Sequence, residues 1–199
     1  MPRRRQPSPS RKNRRANGVS PAGDRFSAFA RGFALHLWLD GLDGLLGLVE
    51  IGAVELHPWN SKVDDIEHAD RIVIDLDPGP GIEWDFVVEI ALTLRDLLKT
   101  EGLKSWPKLT GSKGIHLMAS LPKPKTHDAA RTYAPSLVQQ LAELRPERYV
   151  LFAQPEARSG RIFLDYLRNG RGNTAVGAWS PRVRLGFPMA RPVTWKQIE

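Results

Sequence analysis

The sequence predicts an α+β fold, a mixed or antiparallel sheet core flanked by helices, and three observations carry that expectation. Runs rich in β-branched and apolar residues, closed by turn residues, stand at 71–78, 115–121 and 161–166, as buried strands require. Apolar stripes at helical spacing run through 82–99 and 126–144. The two kinds of segment intermix without a strict βαβ rhythm, which argues against an all-parallel sheet.

The chain has 199 residues, enough for one domain with a sizeable core plus an appendage. With 41% apolar and 26% charged residues, its composition is that of a soluble globular protein. Cysteine is absent, which excludes disulfides, thiolate zinc sites and cysteine nucleophiles and is compatible with a reducing cytoplasm. No apolar run approaches the length of a membrane span, so no membrane partner is expected. The basic N-terminus has no apolar stretch behind it, unlike a secretory signal. The net charge of +7 has a local origin: residues 1–15 hold seven arginines and lysines and no acid, leaving the remainder balanced at 22 against 22. Residues 1–24 read as a disordered basic tail and linker, rich in Pro, Ser and Arg. Such a tail either grips phosphates without sequence preference or has no function. Residues 25–199 read as the folded domain.

Taken in order, 34–39 alternates well enough for a strand. Leu42, Leu45, Leu46 and Val49 have helical spacing and predict a short helix through Glu50, stopped by Gly52. Residues 54–57 read as a short strand ending at Pro58, and 60–70 as a polar loop before the central strand. In the helix over 82–99, Val87, Ile90, Ala91, Leu94, Leu97 and Leu98 make one stripe, and Gly102 lies just past its end. Residues 103–109 read as a strand that Pro107 makes irregular or confines to an edge. Thr126 is a good N-cap for the helix over 126–144, which Pro135 kinks or restarts. The strand at 161–166 is expected to be followed by a turn flanked by Gly170 and Gly172, and then by a strand at 174–179.

Within the central strand, Asp75-Leu76-Asp77-Pro78-Gly79 puts two carboxylates on one face, because side chains alternate along a strand. They repel unless a cation lies between them, and a hard, oxygen-loving divalent ion such as magnesium or manganese meets that need. A strand running into an acidic, solvated turn explains the same residues. Thr110-Gly111-Ser112-Lys113-Gly114 is either a phosphate-binding loop or a plain hairpin turn. Its glycines admit close approach to an anion, Lys113 brings a point charge, and Thr110 and Ser112 bring hydroxyls. It is not a P-loop, since its glycines are too close together and a strand follows it. His116 and His57 sit at strand ends, where a structural role competes with a functional one; His36, His68 and His127 read as surface or structural. Asp165 closes an apolar strand, where an unpaired carboxylate is costly. Either a salt bridge to Arg158, Arg161, Arg168 or Arg171 or a shared metal satisfies it. Three carboxylates from two strands can hold two ions for phosphoryl transfer, with nearby arginines, Arg182 among them, as clamps on a triphosphate.

In this order, His57-Pro58-Trp59, Asp75-Leu76-Asp77-Pro78-Gly79-Pro80-Gly81, Thr110-Gly111-Ser112-Lys113-Gly114-Ile115-His116 and Ile162-Phe163-Leu164-Asp165-Tyr166-Leu167-Arg168-Asn169 resemble the polymerase domain of the bacterial end-joining ligase, ligase D. That domain belongs to the archaeo-eukaryotic primase superfamily. Each motif alone is weak, the ordered set is specific, and the similarity runs from about Ala34 to the end. The resemblance implies a primase-like core that adds nucleotides to DNA ends with breaks or gaps during non-homologous end joining. It further implies Asp75, Asp77 and Asp165 as ligands for two divalent ions, Mn2+ or Mg2+. It implies Thr110, Ser112, Lys113 and His116 as contacts to an incoming NTP or dNTP, Arg158 and Arg182 on the triphosphate, and His57 near the sugar. The Ku end-binding protein and a separate ligase are the partners it implies. One departure is expected: the family domain carries roughly a hundred further N-terminal residues, which seat the base and the DNA 5′-phosphate, and a basic tail is no substitute for a loss on that scale. Two other readings stay open, a truncated homologue that only binds DNA ends or nucleotide, and a metal-dependent phosphoesterase.

Overall fold

The computed structural model describes residues 27–31, 34–39, 41–152 and 154–199. The chain divides into two compact units, 1–53 and 54–199. The predicted tail over 1–24 lies outside the described residues.

In the first unit, β1 (Ser27–Arg31) pairs antiparallel with β2 (Ala34–Trp38), in the register Ser27 opposite Trp38 to Arg31 opposite Ala34. Helix α1 (Leu42–Glu50) forms where the spacing predicts it, and Gly52, at φ +82°, ends it. Its buried residues are Gly44, Gly47 and Leu48, whereas Leu42, Leu45, Leu46 and Val49 are exposed. The periodic stripe therefore located the helix but not its buried face.

The second unit is a sheet with two helices. Its strands are β3 (Ser61–Lys62), β4 (Asp65–Pro78), β5 (Ser105–Leu109), β6 (Ile115–Thr126), β7 (Tyr149–Val150), β8 (Ile162–Asp165) and β9 (Arg191–Pro192). The order is β7-β8-β4-β6-β5-β9, with β3 beside β4, and every pairing is antiparallel except β7 with β8. This is the mixed sheet predicted. Helices α2 (Trp84–Thr100) and α3 (His127–Leu144) bury Val87, Ile90, Ala91, Leu94 and Leu98, and Ala130, Ala134, Leu137 and Val138. All of these but Ala134 join Ile72, Ile74, Leu76, Ile115, Leu117 and Leu164 in one core. Because strand side chains alternate, the opposite face carries Val73, Asp75 and Asp77, and Val73 packs there in a small cluster with Met118 and Ala175.

Several boundaries differ from expectation for identifiable reasons. Strand β4 begins at Asp65 within the supposed polar loop, because β3 and the far end of β6 supply ladder partners to Ala69 and its neighbours. Residues 54–57 and 174–177 belong to no strand, and 178–179 form a turn in which Trp179 has φ +62°. Their groups bond singly instead: Gly177 N–H donates to Leu56 O, and Leu56 N–H to Ser180 Oγ. Pro107 sits inside the sheet, where its carbonyl accepts from Val193 N–H and its missing donor is tolerated. Helix α3 runs through Pro135 without a break, and Thr126 Oγ1 accepts from Ala129 N–H as its cap.

Candidate active site

Ladder register builds the site. Asp75 of β4 pairs with His116 of β6 on one side and with Asp165 of β8 on the other, and His116 pairs in turn with Lys108 of β5. Directly opposed residues in antiparallel strands share a face. Asp165, Asp75, His116 and Lys108 thus form one polar row across four strands, on the face that the helices leave open. Asp77, two residues beyond Asp75, shares that face.

Basic groups engage the carboxylates. His116 Nε2 lies 3.2 Å from Asp75 Oδ2. Arg168 reaches Asp165 Oδ2 with Nε at 3.1 Å and Asp75 Oδ2 with Nη2 at 3.7 Å. Arg158 Nη1 donates to Asp77 Oδ2 at 2.5 Å, and its guanidinium lies 4.4 Å above the Phe163 ring. The Pro78–Gly81 turn sets that pair: Gly79 N–H donates to Arg161 O, and a Cβ at Gly79 would fall 1.7 Å from Arg158 O. Only glycine lets the two segments approach so closely. Among the arginines expected near Asp165, Arg168 is the one that pairs with it, and Leu167 N–H also donates to its Oδ1. Burial pushes the Asp165 carboxyl above the ordinary aspartate value; the Leu167 bond and Arg168 oppose this and the nearby Asp75 charge adds to it.

A cavity of about 180 Å³ opens over the row, lined by His57, Asp75, Asp77, Thr110, Ser112, Lys113, Gly114, His116, Arg168, Ala175, Val176, Arg182 and Arg184. Most of the predicted residues therefore converge. Asp165 and Arg158 do not line it; they stand beside it, in contact with Arg168 and Asp77. The 110–114 segment is a tight turn and a cavity wall at once. Thr110 N–H and Oγ1 both donate to Gly114 O, while Ser112 and Lys113 face solvent. His127 is structural as expected, with Nε2 2.8 Å from Ile66 O, and His68 pairs with Asp65 at the surface.

Sequence reasoning missed three residues. Glu55 fixes one wall: its carboxylate accepts from Val183 N–H and Arg182 Nε, each at 2.9 Å, and lies 2.8 Å from His57 Nε2. The Val183 bond, then the His57 contact, hold this carboxyl down to about 2. Arg182 also donates to Thr110 O at 2.6 Å, which ties the wall to the 110–114 loop. Lys108, 4% exposed, donates from Nζ to Val176 O, and burial lowers its pKa to about 8 despite the Asp75 charge. Asn169 replaces a strand where β8 stops: its amide accepts from Val73 N–H and donates to Val73 O, both at 2.8 Å. None of the three has a recognisable local pattern, because apart from His57 and the Tyr166 carbonyl, to which Asn169 donates, their partners are distant in sequence.

Among the described residues, no group of three or more His, Asp and Glu side chains converges closely enough to hold a metal ion. The donor set nevertheless suits a hard divalent cation in its chemistry. Two carboxylates in direct register and a third on the same face offer only oxygen, and Asp165 is buried beside the like charge of Asp75. His116 Nδ1 and Arg158 Nε are buried without hydrogen-bond partners, as polar atoms are where a ligand completes a site.

The LigD primase-polymerase domain profile matches residues 21–199. Over 163 residues, 82% of the chain, 37% are identical to the multifunctional non-homologous end joining protein LigD of Pseudomonas aeruginosa. The LigD protein of Mycolicibacterium smegmatis is 33% identical over 78% of the chain. The chain spans only 19% and 21% of the lengths of these two relatives. Among solved structures, the polymerase domain of Mycobacterium tuberculosis ligase D, in complex with DNA, superposes with a TM-score of 0.77 at 28% identity, covering 87% of this chain and 64% of that one.

Proposed function

The chain belongs to the LigD primase-polymerase domain family, and from that premise we propose that it binds DNA ends and transfers nucleotides to them during non-homologous end joining. The register pairing of Asp75 with Asp165, with Asp77 on the same face and the 110–114 loop beside it, is the observation that carries this reading. The DNA complex of the mycobacterial domain supports DNA as the partner. Asp75, Asp77 and Asp165 would hold one or two divalent cations, Mg2+ or Mn2+. When bound, these would neutralise the triphosphate and favour attack by a primer 3′-hydroxyl on the α-phosphate with pyrophosphate leaving.

The chain's own residues bind and orient. Lys113, Arg182 and Arg184 bring positive charge to the cavity where a triphosphate lies in this reading. Arg184 Nη1 donates to Ser112 Oγ at 3.0 Å, which holds the loop crest. Glu55 aims Arg182 and His57 into the same space. Arg158 and Arg168 occupy the carboxylates as internal counter-ions, so a metal competes with them for Asp77, Asp75 and Asp165. That pairing also favours a second reading, a module that binds nucleotide or DNA ends without catalysis. Ku and a separate ligase are proposed partners on the strength of the family alone.

Primer extension with Mn2+ and ribonucleotides tests the proposal, with Asp75→Ala and Asp77→Ala as controls. Extension that both substitutions abolish is the expected result. Nucleotide binding without extension leaves the binding module, and phosphate release without extension points to a phosphoesterase.

A further inference from the structure

The 110–114 loop is a wall with two sides. One faces the cavity over the acidic row; behind the other lies a second, larger cleft of about 400 Å³ lined by Trp84, Leu109, Pro188, Met189 and Arg191. Both spaces are lined by Ser112 and Gly114, so the loop borders each of them.

The chemistry of this second cleft is specific. Trp84, the first residue of α2, leaves 43% of its surface in water, and Met189 is similarly open at 48%. A large aromatic and a thioether exposed together offer an apolar face that a flat ring can cover. Among the described residues no carboxylate lines the cleft, and the one charged side chain there is the exposed guanidinium of Arg191. An aromatic face with arginine beside it and no acid suits a nucleobase joined to a phosphate backbone. The loop crest between the two spaces carries Lys113, with Arg184 bonded to Ser112, and so offers positive charge where a linking phosphate would cross. The wall is also rigidly backed: a Cβ on Gly111 would fall 2.8 Å from Arg182 Cγ and 2.9 Å from the Met189 carbonyl carbon.

We infer that the Trp84 cleft is a stacking subsite for one unpaired nucleobase of a DNA strand, next to the nucleotide at the 110–114 loop. This rests on the reading of that loop as a nucleotide site. The cleft would distinguish DNA with a single-stranded overhang from blunt DNA, since only an unpaired base is free to enter it.

The experiment compares the full chain with Trp84→Ala and Trp84→Phe. Affinities are measured for a duplex with a single-stranded overhang, for the matching blunt duplex, and for ATP with Mn2+. A 2-aminopurine placed along the overhang reports stacking by its quenching. Trp84→Ala is expected to weaken overhang binding about tenfold, to abolish quenching at one position, and to change blunt-duplex and ATP binding less than twofold. Trp84→Phe restores most of the loss. Equal weakening of overhang and blunt DNA, or no change in either, overturns the inference. Weakened ATP binding also overturns it, because the cleft then takes the base of the free nucleotide. Failure of the functional reading is separate: a wild-type chain that binds no ATP or extends no primer refutes that reading, while position-specific quenching lost in Trp84→Ala still upholds the stacking subsite.

Discussion

Asp75 and Asp165 face each other across one step of an antiparallel ladder, and a single guanidinium, that of Arg168, reaches both. Two carboxylates so placed repel, and burial raises the Asp165 pKa further. A carboxyl raised above its ordinary value of 3.8 opposes folding once it ionises. That cost is absent below the ordinary value, grows as the pH climbs from it towards the folded one, and is complete above the folded one. Asp165→Asn keeps an acceptor for Leu167 N–H while removing the charge. In the presence of chelator it is expected to raise Tm by a few degrees at pH 7, with no gain at about pH 3.5, and to abolish primer extension. Thermal melts at the two pH values check this trade of activity for stability.

Lys108 has the opposite sign. Its pKa falls from 10.5 to about 8 through burial. Below that folded value both states carry the proton and the full cost of burying the charge applies. Between the two values the folded protein has released its proton, so stability rises with pH. Lys108→Met removes this slope, although Val176 O then loses its donor. Urea melts from pH 7 to 10 are expected to show the wild type gaining on the variant by roughly 2–3 kcal/mol.

Glu55 contributes stability that is fully present above its ordinary value of 4.5 and is lost as the pH falls towards about 2. Glu55→Gln is expected to cost about 1–2 kcal/mol at neutral pH, allowing for partial solvent access. The difference from wild type narrows as the pH drops through that window. Because the same carboxylate aims Arg182 and His57, the variant should also bind ATP more weakly, as a titration at pH 7 would read.

Asn169→Ala leaves the Val73 N–H and C=O without partners in the middle of the longest strand. The expected loss is about 2–4 kcal/mol. Hydrogen exchange checks it at one amide: Val73 should lose protection out of proportion to its neighbours Ile72 and Ile74, which keep their ladder partners on β6.

The sequence made legible whatever local periodicity controls. The alternation through Asp75 and Asp77, the stripes of α2 and α3 and the Thr126 cap all depend on residues within a few positions of one another. The members of the acidic site were legible because each closes or follows such a segment. Residues whose meaning lies in distant contacts were not. Lys108 occupies a polar slot in a strand interrupted by Pro107, and nothing local announces that the 174–179 segment will bury it. Strands β7 and β9 have two residues each, too few for any pattern. The expected strands at 54–57 and 174–179 failed for the complementary reason: composition favours a strand, but only a neighbour with free ladder groups makes one, and here a turn at 178–179 and single bonds between the two segments take its place.

The polar row across β8, β4, β6 and β5 exists only when three separate pairings are each in correct alignment. A slip of one residue between β4 and either neighbour would turn whole strands over and send a charge into the apolar core beneath the helices. The outer members, Lys108 and Asp165, belong to chain segments that meet late if long loops close last. A ligand held by that row would therefore report on the pairing of the whole sheet: it would select the one correctly aligned population and so proofread the fold.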